Sequence, residues 1–225
     1  MPEGKRYRAI GFDMDGTLLR TYLKYDRLRR LVYDAMIDAR VPEHVLFLTE
    51  SSKFNLDAGI NYLKKNGRSA DIPDVMNRIQ KETRDLEMEN VEEARPYEGA
   101  EKMIGYLKGK GYRIGVLTRG GREYAVRALT VSGVIGELDA LVCRDDHGEE
   151  EAKPSPKAMF YLADALGVEA EDILYLGDNK IDYLCARDSG AGFIGVLTRY
   201  TKEDWAAVDK DIRIIDTVAD LIGIL

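Results

Sequence analysis

Long apolar runs are missing from this 225-residue chain, and so is any surplus of positive charge. No stretch approaches the roughly 18 uninterrupted apolar residues of a membrane helix, so no spanning segment is expected. The opening Met1-Pro-Glu-Gly-Lys-Arg lacks the apolar core of a secretory signal, which leaves the cytoplasm as the expected location. A net charge of -7 makes a nucleic-acid backbone a poor partner, while a local basic pocket for a small phosphate compound stays compatible with it. Cysteine is scarce too: Cys143 and Cys185 lie far apart and outside any CxxC pattern, which excludes a disulfide framework or zinc site and suggests two buried thiols. The two histidines, His44 and His147, have no partner spacing that points to catalysis.

What is present is a 45% hydrophobic composition, enough to bury a core, arranged in two different periodicities. Residues 7–12 (YRAIGF) form a short apolar run ending in Asp-Met-Asp-Gly, the pattern of a buried strand meeting a turn. From about Lys24 to Glu93 the spacing is helical, with Leu28, Leu31, Val32, Ala35 and Met36 on one stripe and no good strand candidate. After Arg95-Pro96-Tyr97-Glu98-Gly99, which breaks the chain and starts a helix, strands and helices alternate. Strands are expected at 112–117, 138–143, 173–176, 193–197 and 212–215, and helices at 121–131, 156–166, 181–188 and 218–225. Runs such as IRII and ILYL, apolar on both faces, predict an α/β fold with a parallel, doubly wound sheet covered by helices on each side. The helical block separates the first strand from the rest. The predicted organisation is therefore a core of residues 1–20 and 95–225 carrying an inserted all-helical domain at 21–94, hinged near 17–22 and 93–97.

In an open α/β sheet, ligands bind beyond the carboxyl ends of the strands. Four such ends carry candidate chemistry: Asp13 and Asp15 after the first strand, Thr118 after the second, Lys153 before a helix start in Lys-Pro-Ser-Pro, and Asp178 with Asp182 after Tyr-Leu-Gly. Two carboxylates two residues apart at a turn can have different jobs, one aimed at the ligand and one beside it. Taken singly, each residue has an ordinary explanation as a turn former, a helix-cap neighbour, a surface lysine or a helix-face acid. It is their joint occurrence, in this order and on these elements, that points to a site.

That set of motifs resembles the haloacid dehalogenase superfamily of phosphohydrolases. Asp13-Met14-Asp15-Gly16-Thr17 is similar to its first motif, Val116-Leu117-Thr118 to its second, Lys153-Pro154-Ser155-Pro156 to its third, and Gly177-Asp178-Asn179-Lys180-Ile181-Asp182 to its fourth. The resemblance spans almost all of the core, with the helical block generic. It implies that Asp13 is a nucleophile forming an acyl phosphate, and that Asp15 donates a proton to the leaving oxygen and later withdraws one from water. It implies Mg²⁺ held by Asp13, Asp178 and the backbone carbonyl of Asp15, with Asp182 steadying a metal-bound water or the Lys153 ammonium. Thr118 and Lys153 would bind the phosphoryl group together with backbone N–H groups that follow Asp13 and Thr118, on Met14, Asp15 and Arg119.

Asp15 is present where the dehalogenases themselves lack an acid, so carbon–halogen cleavage is not expected. Arg119-Gly120-Gly121 follows Thr118 where many relatives carry Asn, and Asn179 stands where Ser or Thr is common. The expected activity is Mg²⁺-dependent hydrolysis of a small phosphate monoester. The rivals are a phosphomutase with the same nucleophile, a phosphonate hydrolase using Lys24, Lys53, Lys64 or Lys65 as a Schiff base, and a non-catalytic binding module. The inserted block resembles a substrate-selecting cap, in which Arg20, Lys24, Lys53 and Arg68 are candidate contacts for a second anionic group. Asp145, Asp146 and Glu149 to Glu151 are expected to form a solvated loop. Phosphoglycolate, pyrophosphate, a sugar phosphate and a nucleoside monophosphate all remain open as substrates, and so does the oligomeric state.

Overall fold

The computed structural model describes residues 7–225; the opening residues 1–6, where the lack of a secretory signal was read, lie outside the described part. Two compact units divide the chain. One gathers the residues up to Thr21 with Val91–Leu225, and the other is Tyr22–Asn90.

In chain order the elements are β1 (Ala9–Phe12), β2 (Leu19–Arg20), α1 (Tyr25–Asp38), α2 (Ser52–Lys65), α3 (Ile72–Met88), β3 (Arg95–Pro96), α4 (Ala100–Gly109), β4 (Arg113–Leu117), α5 (Arg122–Val131), β5 (Ala140–Val142), α6 (Pro156–Leu166), β6 (Ile173–Gly177), α7 (Lys180–Ser189), β7 (Gly192–Val196), α8 (Lys202–Val208) and β8 (Arg213–Ile215). Six strands form one parallel sheet in the order β5-β4-β1-β6-β7-β8. The all-apolar runs in β1 and β6 follow from that position, because a central parallel strand is buried on both faces. Ala9, Ile173 and Tyr175 pack with Met159, Leu162 and Leu166 of α6 and with Cys185 and Ala186 of α7. On β4, α4 packs with its buried Met103, Ile104 and Leu107.

The segments read as hinges pair with each other as a two-residue antiparallel ribbon, Leu19 opposite Pro96 and Arg20 opposite Arg95. The period-2 signal of such a short ribbon is below what alternation can reveal. At the end of the chain, the expected helix at 218–225 is instead a 3₁₀ segment, Val218–Gly223. Its buried residues are Val218 and Leu221, an i,i+3 pair that suits three residues per turn, and six residues are too few to sustain an α-helix by themselves. A helix at α8 was not foreseen; its Thr201 capping box and the single buried Trp205 carry it without a repeating apolar stripe.

The helical unit stands on its own small core. Val32, Ala35 and Met36 of α1 meet Leu56 and Leu63 of α2 and Ile79 of α3. Asn55, fully buried, accepts from the Phe47 amide at 2.8 Å and donates to the Phe47 carbonyl at 2.9 Å, which ties the preceding loop to α2. Among the described residues no helix is long and apolar enough to cross a membrane.

Candidate active site

The parallel register sets the site. Phe12 at the end of β1 lies between Val116 of β4 and Leu176 of β6, so the residues just beyond these positions emerge side by side at one sheet edge. The Asp13 amide extends the ladder by donating to the Leu176 carbonyl at 2.8 Å. The chain then reverses: Leu18 and Leu19 both donate to the Met14 carbonyl, and Gly16 donates to the Leu19 carbonyl. Gly16 sits at φ +84°, and a Cβ there would lie 2.1 Å from Asp178 Oδ2. Only glycine satisfies both the left-handed backbone and that contact.

Lys153 reaches the same point from the loop before α6, across a cis Lys153–Pro154 peptide. Its side chain is 1% exposed and its ammonium donates to Asp13 Oδ1 at 2.6 Å, Asp182 Oδ1 at 2.6 Å and the Tyr175 hydroxyl at 2.9 Å. Three donors therefore meet three acceptors. Burial works against its charge, but Asp13 and Asp182 more than offset this and hold its proton affinity above the ordinary lysine value. Tyr175 in turn donates to the Leu117 carbonyl at 2.7 Å, fixing the direction of its own oxygen.

Asp182 is clamped from both sides. One oxygen takes Lys153, and the other accepts from the Asn179 amide at 3.0 Å as part of the capping box that starts α7. Burial raises its carboxyl to about 6 against the pull of Lys153. Asp178, 3% exposed, is pushed up to about 8 by burial and by the charges of Asp13 and Asp182, with Arg199 at 3.3 Å offsetting part of this. Asp13, Asp178 and Asp182 each offer a carboxylate oxygen within 4.8 Å of the others. An all-oxygen, buried, mutually repelling set fits a hard divalent cation, since a positive ion relieves the cost that raises Asp178.

The other expected site residues fall as follows. The Asp15 carboxylate lies outside the acidic cluster and accepts from Thr21 at 2.7 Å and Tyr124 at 2.5 Å. That leaves its backbone carbonyl as the group to consider for a metal. Thr118, 2% exposed, continues β4 and accepts from the Gly120 amide at 2.9 Å. Met14 is fully buried. The Arg119 guanidinium donates to the Lys153 carbonyl and to Glu149, so it braces the Lys153 loop. In the acidic loop Asp145 and Glu150 are exposed, as a solvated loop requires, while Asp146 holds Arg122, Glu149 holds Arg119, and Glu151 holds Lys157 and Tyr161. Both cysteines are free and buried, and burial pushes each thiol up to about 12. The candidate anion contacts have partners within their own units: Lys24 with Glu89, Lys53 with Asp57, Arg68 with Asp71, and Arg20 over the Tyr97 ring.

Tyr175, Tyr124, Thr21 and Arg199 were not singled out from sequence. An aromatic residue in ILYL or on an amphipathic helix has the signal of a core residue, and nothing local reveals where its hydroxyl ends. Arg199 lies in a loop after β7, and its neighbour Thr198 donates to the Gly16 carbonyl, which brings that loop to the turn after β1.

The sequence model of the haloacid dehalogenase-like hydrolases matches residues 10–196. A pyrophosphatase (PpaX) of Halalkalibacterium halodurans is 29% identical over 57% of this chain, a match spanning 60% of that protein. A phosphoglycolate phosphatase of Haemophilus influenzae is 24% identical over 98% of this chain and 99% of its own. The solved structure of a Pseudomonas syringae hydrolase superposes with a TM-score of 0.70 at 21% identity, covering 96% of each chain, which bears on the fold.

Proposed function

We propose that this chain, which belongs to the haloacid dehalogenase-like hydrolases, releases phosphate from a small phosphorylated metabolite through a phosphoryl group carried on Asp13. The observation that carries the reading is the buried ammonium of Lys153, 2.6 Å from both Asp13 and Asp182. A buried ammonium, bound to a carboxylate at a strand end, neutralises a nucleophile and an incoming phosphate together.

Asp13 attacks phosphorus, the bond to the leaving oxygen breaks with its electron pair going to that oxygen, and Asp15 supplies the proton. Water then attacks phosphorus, Asp15 takes its proton, and the bond to Asp13 breaks to regenerate the carboxylate. Asp13, Asp178 and the Asp15 carbonyl would hold Mg²⁺, which would supply positive charge that offsets repulsion between carboxylate and phosphate. With both Asp182 oxygens occupied by Lys153 and Asn179, its part is to orient the ammonium. Thr118 and the amides of Met14, Asp15 and Arg119 hold the phosphoryl oxygens. Tyr22–Asn90 is the cap that selects the leaving group, and the protein works in the cytoplasm, where such metabolites are found.

The test is turnover of p-nitrophenyl phosphate with Mg²⁺, lost on chelation and in Asp13→Asn, followed by a panel of phosphoglycolate, pyrophosphate, sugar phosphates and nucleoside monophosphates. Isomerisation without phosphate release would favour the mutase, and no turnover across the panel the binding module.

A further inference from the structure

The hydroxyl of Tyr124 lies on the one acid that the reaction uses twice. Tyr124 is the third residue of α5, 109 positions from Asp15, is 2% exposed, and donates to Asp15 Oδ1 at 2.5 Å. Thr21 donates to the same oxygen at 2.7 Å. Two donors on one oxygen fix the carboxyl plane, which turns the second oxygen into the defined carrier of the mobile proton. The ring is itself positioned: a Cβ on Gly120 would come within 2.8 Å of Tyr124 Cδ1, so the glycine after Arg119 is what lets the ring lie along the loop from Thr118. The run Arg119-Gly120-Gly121 thus makes room for a phenol that serves the first motif from the second.

We propose that Tyr124 is a positioning residue for proton transfer by Asp15, an inference that rests on the hydrolase reading above. Tyr124 keeps its own proton throughout. Asp15 gives its proton to the leaving oxygen as the P–O bond breaks, then takes one from the water that attacks the phosphoryl group on Asp13. A tyrosine acting through Asp15 speeds the first step only when the leaving group needs that proton, and kcat/KM isolates that step because proton removal from water follows it; a tyrosine that merely packs matters equally for every substrate.

The experiment compares Tyr124→Phe with the parent on an alkyl phosphate that the parent turns over and on 2,4-dinitrophenyl phosphate, whose leaving group departs as a stable anion. Loss of one hydrogen bond to a charged group predicts a roughly 10- to 100-fold lower kcat/KM on the alkyl phosphate, and less than about threefold on the dinitrophenyl ester. In an Asp15→Ala background the same substitution has no further effect on the alkyl phosphate. Equal losses of kcat/KM on both substrates, no loss on either, or a full loss in the Asp15→Ala background would each overturn the proposal. Melting curves of Tyr124→Phe accompany the kinetics, because a fall in folded fraction would lower both substrates alike. If the parent itself turns over neither ester, the hydrolase reading fails, and that result is distinct from any of these.

Discussion

Replacing Asp178 with asparagine should make the metal-free protein more stable, by an amount that grows with pH. Asp178 is 3% exposed, and burial together with the charges of Asp13 and Asp182 carries its carboxyl from an ordinary 3.8 up to about 8, with Arg199 only partly compensating. The folded value lies above the unfolded one, so the folded state holds the proton more tightly. Stability from this group is therefore intact below about pH 4 and is lost progressively until about pH 8, where the loss levels off. The span from 3.8 to about 8, at about 1.36 kcal/mol per pH unit, sets a ceiling of about 6 kcal/mol. Arg199 is already counted in that span, and relaxation around the buried carboxylate keeps the gain of Asp178→Asn below the ceiling. The expectation is a gain of roughly 2–4 kcal/mol at pH 8.5 in chelator, about half of that at pH 6, and near zero at pH 4.5, measured by urea unfolding. Added Mg²⁺ should stabilise the parent and leave the variant nearly unchanged. A variant less stable than the parent at pH 8.5, or a gain that is the same at all three pH values, would refute the electrostatic reasoning.

Three further outcomes follow from the same geometry. Lys153→Met leaves two buried carboxylates without their cation and should cost about 3–5 kcal/mol in urea unfolding, with Asp182→Asn in the same chain recovering part of it. Gly16→Ala meets both a left-handed backbone, worth about 1–2 kcal/mol, and Asp178 Oδ2, so kcat/KM should fall by about 100-fold as the acid is displaced. Asn55→Ala strands the Phe47 backbone groups and should cost about 1–3 kcal/mol; hydrogen exchange should show protection lost in α1 and α2 while β1, β4 and β6 keep theirs.

The strands and helices of the core were legible because parallel strands that are buried on both faces are apolar throughout, and their carboxyl ends stop at polar residues. Asp13, Thr118 and Asp178 announce themselves in that way. What stayed hidden had no period to show: the Leu19–Arg20 and Arg95–Pro96 ribbon is too short for alternation, and α8 rests on one tryptophan and a capping box. Residues whose function lies at the tip of an apolar body were equally silent. Tyr175 alternates correctly with Leu174 and Leu176 as a core residue of β6, yet its hydroxyl both accepts from Lys153 and donates to Leu117. Arg119 was read for its place beside a phosphate loop, but its side chain is committed to the Lys153 carbonyl and Glu149.

Under the proposed function, Asp182 acts as a positioning acid and Asp178 as the metal ligand, although both lie in the same cluster. Each Asp182 oxygen already accepts a hydrogen bond, one from an ammonium and the other from the Asn179 amide at the start of α7. Asp178 differs in kind. Arg199 approaches it at the longer 3.3 Å, and its carboxyl is pushed up further than that of Asp182, so a cation would relieve it more. In that reading, two acids four residues apart divide the work because Asp182 sits inside the capping box of α7 and Asp178 just before it.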